Sequence, residues 1–228
     1  MNNNEKISVI MSVRNGELTL DYSIESILNQ TYENFHFYII NDGSTDGTQK
    51  ILEKYSSSDP RISIFRNKTN IGLTKSLNLL IKKCSTKIIA RQDADDFSMK
   101  NRFIKQIDFM NNYKVDVCTS RAYIKGTNRI TPKYSFYIPK KILINYKNPF
   151  IHGTLMIKKS VFIELNYYDE KFYYAQDYKL FSDLLRKKIK IGIIKKPLYV
   201  LNMENNISSL NRKEQDYYAK CVQKNLIP

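Results

Sequence analysis

The chain has 228 residues, 42% hydrophobic and 12% aromatic, with 17 Tyr and no Trp. This supports one large domain with a sizeable core and excludes a disordered or collagen-like chain. The formal charge is +15, but residues 1–97 hold 12 basic and 12 acidic side chains, so the whole excess falls in residues 98–228 and points that part toward something anionic.

Ile7 to Val13 is short, apolar and β-branched, which predicts a buried strand. Leu20, Ile24, Ile27 and Leu28 recur at helical spacing, so residues 17–29 predict an amphipathic helix. Phe35 to Ile40 predicts a second strand, and Asn41 to Thr48 a loop in which Thr45 or Asp46 caps a helix to about Ser56. A third strand at Ile62 to Phe65 and a helix over 74–83 follow. A fourth strand, Lys87 to Arg91, runs directly into Asp93-Ala94-Asp95-Asp96. Strand and helix therefore alternate through the first hundred residues, which implies an α/β fold with a Rossmann-like, mostly parallel sheet and helices on both faces. Ligands of such sheets bind beyond the carboxyl ends of the strands, and both acidic loops fall at such ends.

After a helix at 100–112 and a strand at Val115 to Thr119, residues 120–150 are rich in Lys, Tyr and Pro and carry no readable period. Leu155 to Ile157 predicts a strand, Lys159 to Leu165 and Gln176 to Lys188 helices, and residues 189–194 and 198–201 two strands. A basic helix is expected from Leu210. Cys84, Cys118 and Cys221 show no zinc spacing and fit free thiols in a reducing cytosol. Met1 to Lys6 begins no signal peptide, and no apolar run reaches the ~18 residues of a membrane span. A cytoplasmic chain is expected, with peripheral contact to an anionic membrane surface through its basic part.

Three carboxylates in four residues raise each other's pKa unless a cation neutralises them. In extended backbone Asp93 and Asp95 point to one side, and their hard oxygens suit Mg²⁺ or Mn²⁺ with positions left for substrate phosphates. A rival reading makes Asp95, Asp96 or Ser98 a cap of the following helix. Arg91 has an equally plain reading, as the counter-ion of the acidic cluster. Asp177 has one as the N-cap of a helix over 178–187.

The segments Ile7 to Asn15, Asn41 to Thr48, Asn70-Ile71-Gly72-Leu73 with Asn78, and Ala90 to Asp96 occur in order. Arg102, Phe103 and Gln106, then His152 to Ile157, then Tyr168 to Glu170 and Ala175 to Tyr178 continue the series. Together they resemble the inverting family 2 glycosyltransferases of the GT-A fold, of the bacterial surface-polysaccharide type. The resemblance spans roughly residues 6–200. It implies one GT-A domain over 1–228, with 6–97 binding a nucleotide-sugar, 98–205 binding the acceptor and catalysing transfer, and 206–228 a basic tail. It implies that Asp42 accepts a hydrogen bond from the nucleotide base, foremost uracil, and that Ser12 and Arg14 line the base and ribose pocket, with Asn70 and Arg91 also on the donor. Asp95 would hold Mn²⁺ or Mg²⁺ across the diphosphate, with Asp93 reaching the metal, ribose or donor sugar. Asp177 would be the general base, and a glycan or lipid-linked hydroxyl the acceptor. Asn41, Gln176, Val200 and Asn202 depart from the family pattern, which has an acid, Glu, Arg and His there.

Two rivals compete. A sugar-phosphate nucleotidyltransferase shares the metal and nucleotide loops but attacks phosphorus. A non-catalytic nucleic-acid-binding protein would use the +15 charge with Lys133-Tyr134-Ser135-Phe136-Tyr137 stacking bases, but it leaves both acidic loops unexplained.

Overall fold

The computed structural model describes residues 5–203 and 211–228. Strands β1 (Ile7–Val13), β2 (Phe35–Asp42), β3 (Ile62–Asn67) and β4 (Ile88–Arg91) lie parallel in the order β3-β2-β1-β4. Helices α1 (Leu20–Leu28), α2 (Thr48–Ser58) and α3 (Leu73–Lys83) connect them. Alternation along β1 divides the core: Ile7, Val9, Met11 and Val13 pack with Leu20, Ile24 and Leu52 of α1 and α2. Ile10 faces the other way, onto Leu77, Leu80 and Ile81 of α3. Both faces of β1 are covered, which is why it reads as a continuous apolar run rather than an alternating one.

The chain then adds β5 (Phe97–Ser98), α4 (Arg102–Tyr113), β6 (Val117–Ile124), β7 (Ile130–Thr131) and α5 (Lys140–Leu143). β8 (Met156–Lys158), α6 (Lys159–Glu164), α7 (Gln176–Arg186), β9 (Ile191–Leu201) and α8 (Arg212–Lys224) complete the described elements. The sheet continues β4-β8-β6-β9-β5, antiparallel at β4–β8, β8–β6 and β9–β5 and parallel at β6–β9.

Three expectations change. The two strands predicted at 189–194 and 198–201 are one strand, β9, whose register on β6 jumps from Ser120↔Ile194 to Arg121↔Pro197. Lys195 and Lys196 are exposed at that bulge, and Pro197, lacking an N–H, is tolerated where the ladder is already broken. The unreadable stretch 120–150 holds the end of β6, β7, a 3-10 turn at Tyr134–Tyr137 and the short α5. It is anchored by the buried Leu143, Ile144 and Phe150. The tail helix exists as α8, while Leu210 and the 205/206 boundary lie outside the described residues.

Candidate active site

The loops after β1, β2, β3 and β4 meet at the carboxyl edge of the sheet and are stitched to one another. Ser44 Oγ accepts from the Asn15 N–H at 3.0 Å, and Thr48 Oγ1 from the Gly16 N–H at 2.8 Å. Asp46 accepts from the Glu17 and Thr48 N–H groups and ties the start of α2 to the first loop, but the N-cap position of α2 is Gly47, so the expected cap by Thr45 or Asp46 is not observed. Asp42, buried at the end of β2, accepts from Asn67 Nδ2 and the Ile71 N–H through Oδ1, and from the Gly72 N–H through Oδ2. These three donors fill all but about one of a carboxylate's roughly four acceptor positions. Asp42 thus shapes the Asn70 loop and retains capacity for one more donor. Gly43, at φ +68°, lets that loop close, since a Cβ there would sit 2.5 Å from the Asn70 nitrogen. Ser12 is half-buried on β1, and Arg14 and Asn70 are exposed on the same edge.

The acidic loop leaves β4 beside the end of β1, where the strand order reverses. It is a turn and not the extended segment expected, with the Asp96 N–H directed to the Asp93 carbonyl at 3.4 Å. The Asp93 carbonyl is also fixed by Ser23 Oγ of α1 at 2.7 Å and by Gln92 Nε2 at 3.0 Å. The turn therefore sends the carboxylates to different tasks. Asp93 takes both terminal nitrogens of Arg91, one at 2.6 Å, so the buried Arg91 acts here as its counter-ion. Asp96 is buried and accepts from the Asn202 N–H at 2.7 Å. It fastens the acidic loop to the end of β9; the N-cap of α4 is Asn101, so Asp96 and Ser98 are not helix caps. Burial, then Asp93, push the Asp95 carboxyl up to about 6, against the lowering by its own backbone N–H, Arg91 and Lys125. Burial, then Asp93 and Asp95, raise Asp96 as well.

Beneath the loop lies Arg102, fully buried on α4 with no salt bridge to an acidic side chain among the described residues. Its guanidinium donates to Gln106 Oε1, Gln92 Oε1, Ser98 Oγ and the Arg91 carbonyl. Its plane also lies 5.2 Å from the Tyr199 ring centre. Tyr199 Oη in turn accepts from the Asp93 N–H at 3.1 Å. Gly153 passes so close that a Cβ would fall 2.5 Å from Tyr199 Oη and 2.8 Å from Asp93 Oδ2. His152 bonds Tyr168 Oη through Nε2 at 2.7 Å, and burial, with Arg91 nearby, lowers its pKa well below the usual range.

Asp177 lies in the first turn of α7, whose N-cap position is Ala175, so the capping reading is not observed. Its half-buried carboxylate accepts from Asn148 Nδ2 at 2.7 Å. Burial raises its pKa, opposed by the Tyr178 N–H, by Asn148 and by the charge of Arg91. Arg91 thus acts on both Asp95 and Asp177, and Tyr168 feels both Asp93 and Asp177. The fold brings the acidic loop and Asp177 to one site, although 84 positions separate Asp93 from Asp177. Asn148 also lines a cleft of about 420 Å³ formed by residues 131–135 and 147–149.

The Glycosyl transferase family 2 model matches residues 8–166. The chain belongs to glycosyltransferase family 2. It is 38% identical over 176 residues to the putative glycosyltransferase EpsE of Bacillus subtilis, covering 74% of this chain and 62% of that one. It is 36% identical over 188 residues to the O-antigen biosynthesis glycosyltransferase WbnJ of Escherichia coli, covering 80% and 73%. Among solved structures it resembles S. aureus TarS 1-349 in complex with UDP-GlcNAc, with TM-score 0.77, 19% identity and coverage of 95% of this chain and 65% of that one. It also resembles the mannosyltransferase PcManGT of Pyrobaculum calidifontis in complex with GDP-Man and Mn²⁺, with TM-score 0.74, 15% identity and coverage of 99% and 66%. These structural likenesses show the GT-A fold.

Within this family 2 chain, the acidic loop suits a divalent cation. Among the described residues no three His, Cys, Asp or Glu side chains form a cage. A half-buried carboxylate with a raised pKa, beside two more, could instead hold a cation that takes its remaining oxygens from substrate phosphates. Asp95 could serve as a ligand, and Asp93 could join it only by loosening its pair with Arg91. Four residues of the site carried no chemical role in the sequence. Asn148 lies 29 positions from its partner, in the stretch without periodicity. Tyr199 reads as an ordinary strand aromatic. Arg102 and Gly153 stand inside recognisable motifs, but only their contacts reveal what they do. Asn78 likewise proves to be a clamp, donating to the Tyr168 carbonyl and Glu170 Oε1 while its Oδ1 accepts from the Tyr168 N–H.

Proposed function

We propose that this chain is an inverting, metal-dependent glycosyltransferase that moves a hexose-type sugar from a nucleoside-diphosphate sugar, foremost a UDP-sugar, to a hydroxyl of a glycan or lipid-linked acceptor in surface-polysaccharide assembly. In this reading residues 6–97 bind the donor and 98–205 bind the acceptor and supply the base. The observation that carries it is the pairing of two half-buried carboxylates of raised pKa, Asp95 and Asp177, on separate elements around Arg91. One suits a cation and the other a proton. The names of WbnJ and of the UDP-GlcNAc and GDP-Man complexes support the reaction class.

The chemistry follows from these residues. Ser12, Arg14, Asp42 and Asn70 form the edge that takes the nucleotide, with Asp42 offering its remaining acceptor position to a base N–H. Asp95 would hold Mn²⁺ or Mg²⁺, which would supply Lewis-acid stabilisation of the leaving diphosphate. Arg91 keeps Asp93 oriented toward ribose or donor sugar. Asp177 takes the proton of the acceptor hydroxyl on the oxygen not held by Asn148, as that hydroxyl oxygen bonds the anomeric carbon and the bond to diphosphate breaks. A single base with no enzyme nucleophile gives one displacement and inversion at the anomeric carbon.

The test is a donor screen: UDP-, dTDP- and GDP-sugars with Mn²⁺ or Mg²⁺ and a membrane-lipid extract as acceptor source. Metal-dependent release of nucleoside diphosphate is expected. Release of pyrophosphate would make the chain a nucleotidyltransferase, and the absence of nucleoside diphosphate with every donor would sink the proposal.

A further inference from the structure

Between Asp116 and Glu164 the chain carries nine Lys or Arg and no acidic residue. Within that stretch, residues 133–147 run between β7 and Asn148, held by Tyr178 Oη on the Ile144 carbonyl and Gln223 Nε2 on the Tyr146 carbonyl. Of the fifteen exposed large hydrophobic side chains among the described residues, five fall here: Tyr134, Tyr137, Ile138, Ile142 and Tyr146. Such density in thirteen positions is unlike singly scattered surface apolars, which need no explanation. Helical turns continue past α5, through the bonds from the Ile144, Tyr146 and Lys147 N–H groups to Lys140 and Leu143 carbonyls. Ile142 and Tyr146 are therefore four apart on one side of these turns, Ile138 precedes them in extended backbone and is also exposed, and Leu143 and Ile144 turn inward as the anchor.

Cations accompany this side. Lys133, Lys141 and Lys147 are exposed on the segment, and Lys195 of the β9 bulge lies 6.0 Å from the Tyr137 ring centre. Lys133 lies 4.8 Å from the Tyr134 ring centre. Lys140 is spent differently: its ammonium donates to the carbonyls of Ser135, Phe136 and Ile138 and braces the excursion. Tyrosines and aliphatics facing outward with lysines at their rim are the composition of a face that sits at the headgroup level of a bilayer.

We propose that residues 133–147 are a docking face for a bilayer bearing anionic phospholipid headgroups. A soluble polyanion would engage the lysines but leaves Ile138 and Ile142 outward without cause. A second copy of the same face would set lysine against lysine. The excursion begins and ends at the cleft whose Asn148 holds Asp177. Docking there would bring a membrane-anchored acceptor to the base, a consequence that rests on the sugar-transfer reading, whereas the docking itself does not.

The chain contains no Trp, so Tyr146→Trp supplies a single fluorescent reporter. It is mixed with vesicles of phosphatidylcholine alone or with phosphatidylglycerol added. Tyr113→Trp, at the exposed end of α4, is the control. A blue shift and quenching by brominated lipid for the Tyr146→Trp chain but not for the Tyr113→Trp chain, only with phosphatidylglycerol, is expected. In flotation, Ile138→Ser/Ile142→Ser, which leaves the charge unchanged, should weaken vesicle binding at least about tenfold, and Lys141→Gln about fivefold. Unaltered binding by the double variant, with no shift of the Tyr146→Trp emission, would mean adsorption through net charge, and would overturn the proposal. So would binding confined to heparin or RNA. Nucleoside diphosphate release from a soluble donor is scored on the same preparations. A chain that docks but releases none refutes the activity alone, and one that releases it but does not dock refutes the docking alone.

Discussion

Asn148 donates its side-chain amide to Asp177 Oδ2 at 2.7 Å, and its own Oδ1 accepts from the Phe150 N–H at 3.0 Å. The second bond fixes which end of the amide faces the carboxylate. Asp177 is thereby held by a residue of the cleft formed by residues 131–135 and 147–149. Its pKa is raised by burial and lowered by this hydrogen bond. Removing the bond with Asn148→Ala should raise it further. A base works deprotonated, so the acid limb of the kcat profile should move to higher pH, with kcat at neutral pH down roughly tenfold or more. A profile that falls in height without moving would make Asn148 merely structural.

Asp177→Asn tests Asp177 as the proposed base without changing its shape. Turnover should fall by roughly 10²–10⁴-fold while the donor Kd stays near that of the unaltered chain. Isothermal titration with a UDP-sugar and Mn²⁺ checks this. Lost donor binding with a lowered Tm would reassign Asp177 to the fold.

Asp95→Asn should act in opposite directions on stability and binding. The Asp95 carboxyl is held at about 6 in the fold against a usual 3.8. Between those values the folded chain binds more protons than the unfolded one, so this group's penalty grows as pH rises from 4 through 6 and is fully present at pH 8. The neutral amide should therefore raise the metal-free Tm at pH 8 by roughly 2–4 °C and change little at pH 4. The same variant should lose the Mn²⁺-dependent part of nucleotide binding. Retention of that part in a calorimetric titration, with EDTA as the control, would remove Asp95 from the metal site.

Gly153→Ala forces a methyl group against Tyr199 Oη and Asp93 Oδ2. Overpacking of this kind costs about 1–3 kcal/mol. Because one displaced atom belongs to Asp93 of the acidic loop and the other to Tyr199, which bonds its N–H, the donor Kd should weaken at least about tenfold while the far-UV CD spectrum is retained. An unchanged donor Kd would show that Asp93 does not reach the donor.

Arg102→Met leaves Gln92, Ser98, Gln106 and the Arg91 carbonyl without their shared donor. Each buried acceptor left unpaired costs about 1–3 kcal/mol, so a loss of about 3 kcal/mol or more is expected despite the similar volume. The urea midpoint should fall with its m-value unchanged.

Much of the first half was legible because its signals are local. β1 was bounded to the residue by its apolar run, and α3 was misjudged by one residue at its start. The shared edge of the Asn41–Asp46 and Asp93–Asp96 loops followed from parallel topology alone. The second half was less legible. The Lys195-Lys196-Pro197 bulge looks like a strand break, because a bulge is defined by the partner strand. Residues 120–150 lack a period because they pack through a few anchors and expose the rest.

Ordered motifs spread over much of the chain determined that this is a family 2 chain of the GT-A fold, and composition alone located its positive charge. Tertiary structure decided the division of labour among Asp93, Asp95 and Asp96. One carboxylate is spent on Arg91, one on the end of β9, and one is left half-buried with a raised pKa. It also decided that Asn148 holds Asp177 and that Gly153 and Tyr199 border the acidic loop. The reason is that a carboxylate's role depends on which donors and charges surround it, and these come from β4, α1, β9 and α7, segments that only folding brings together.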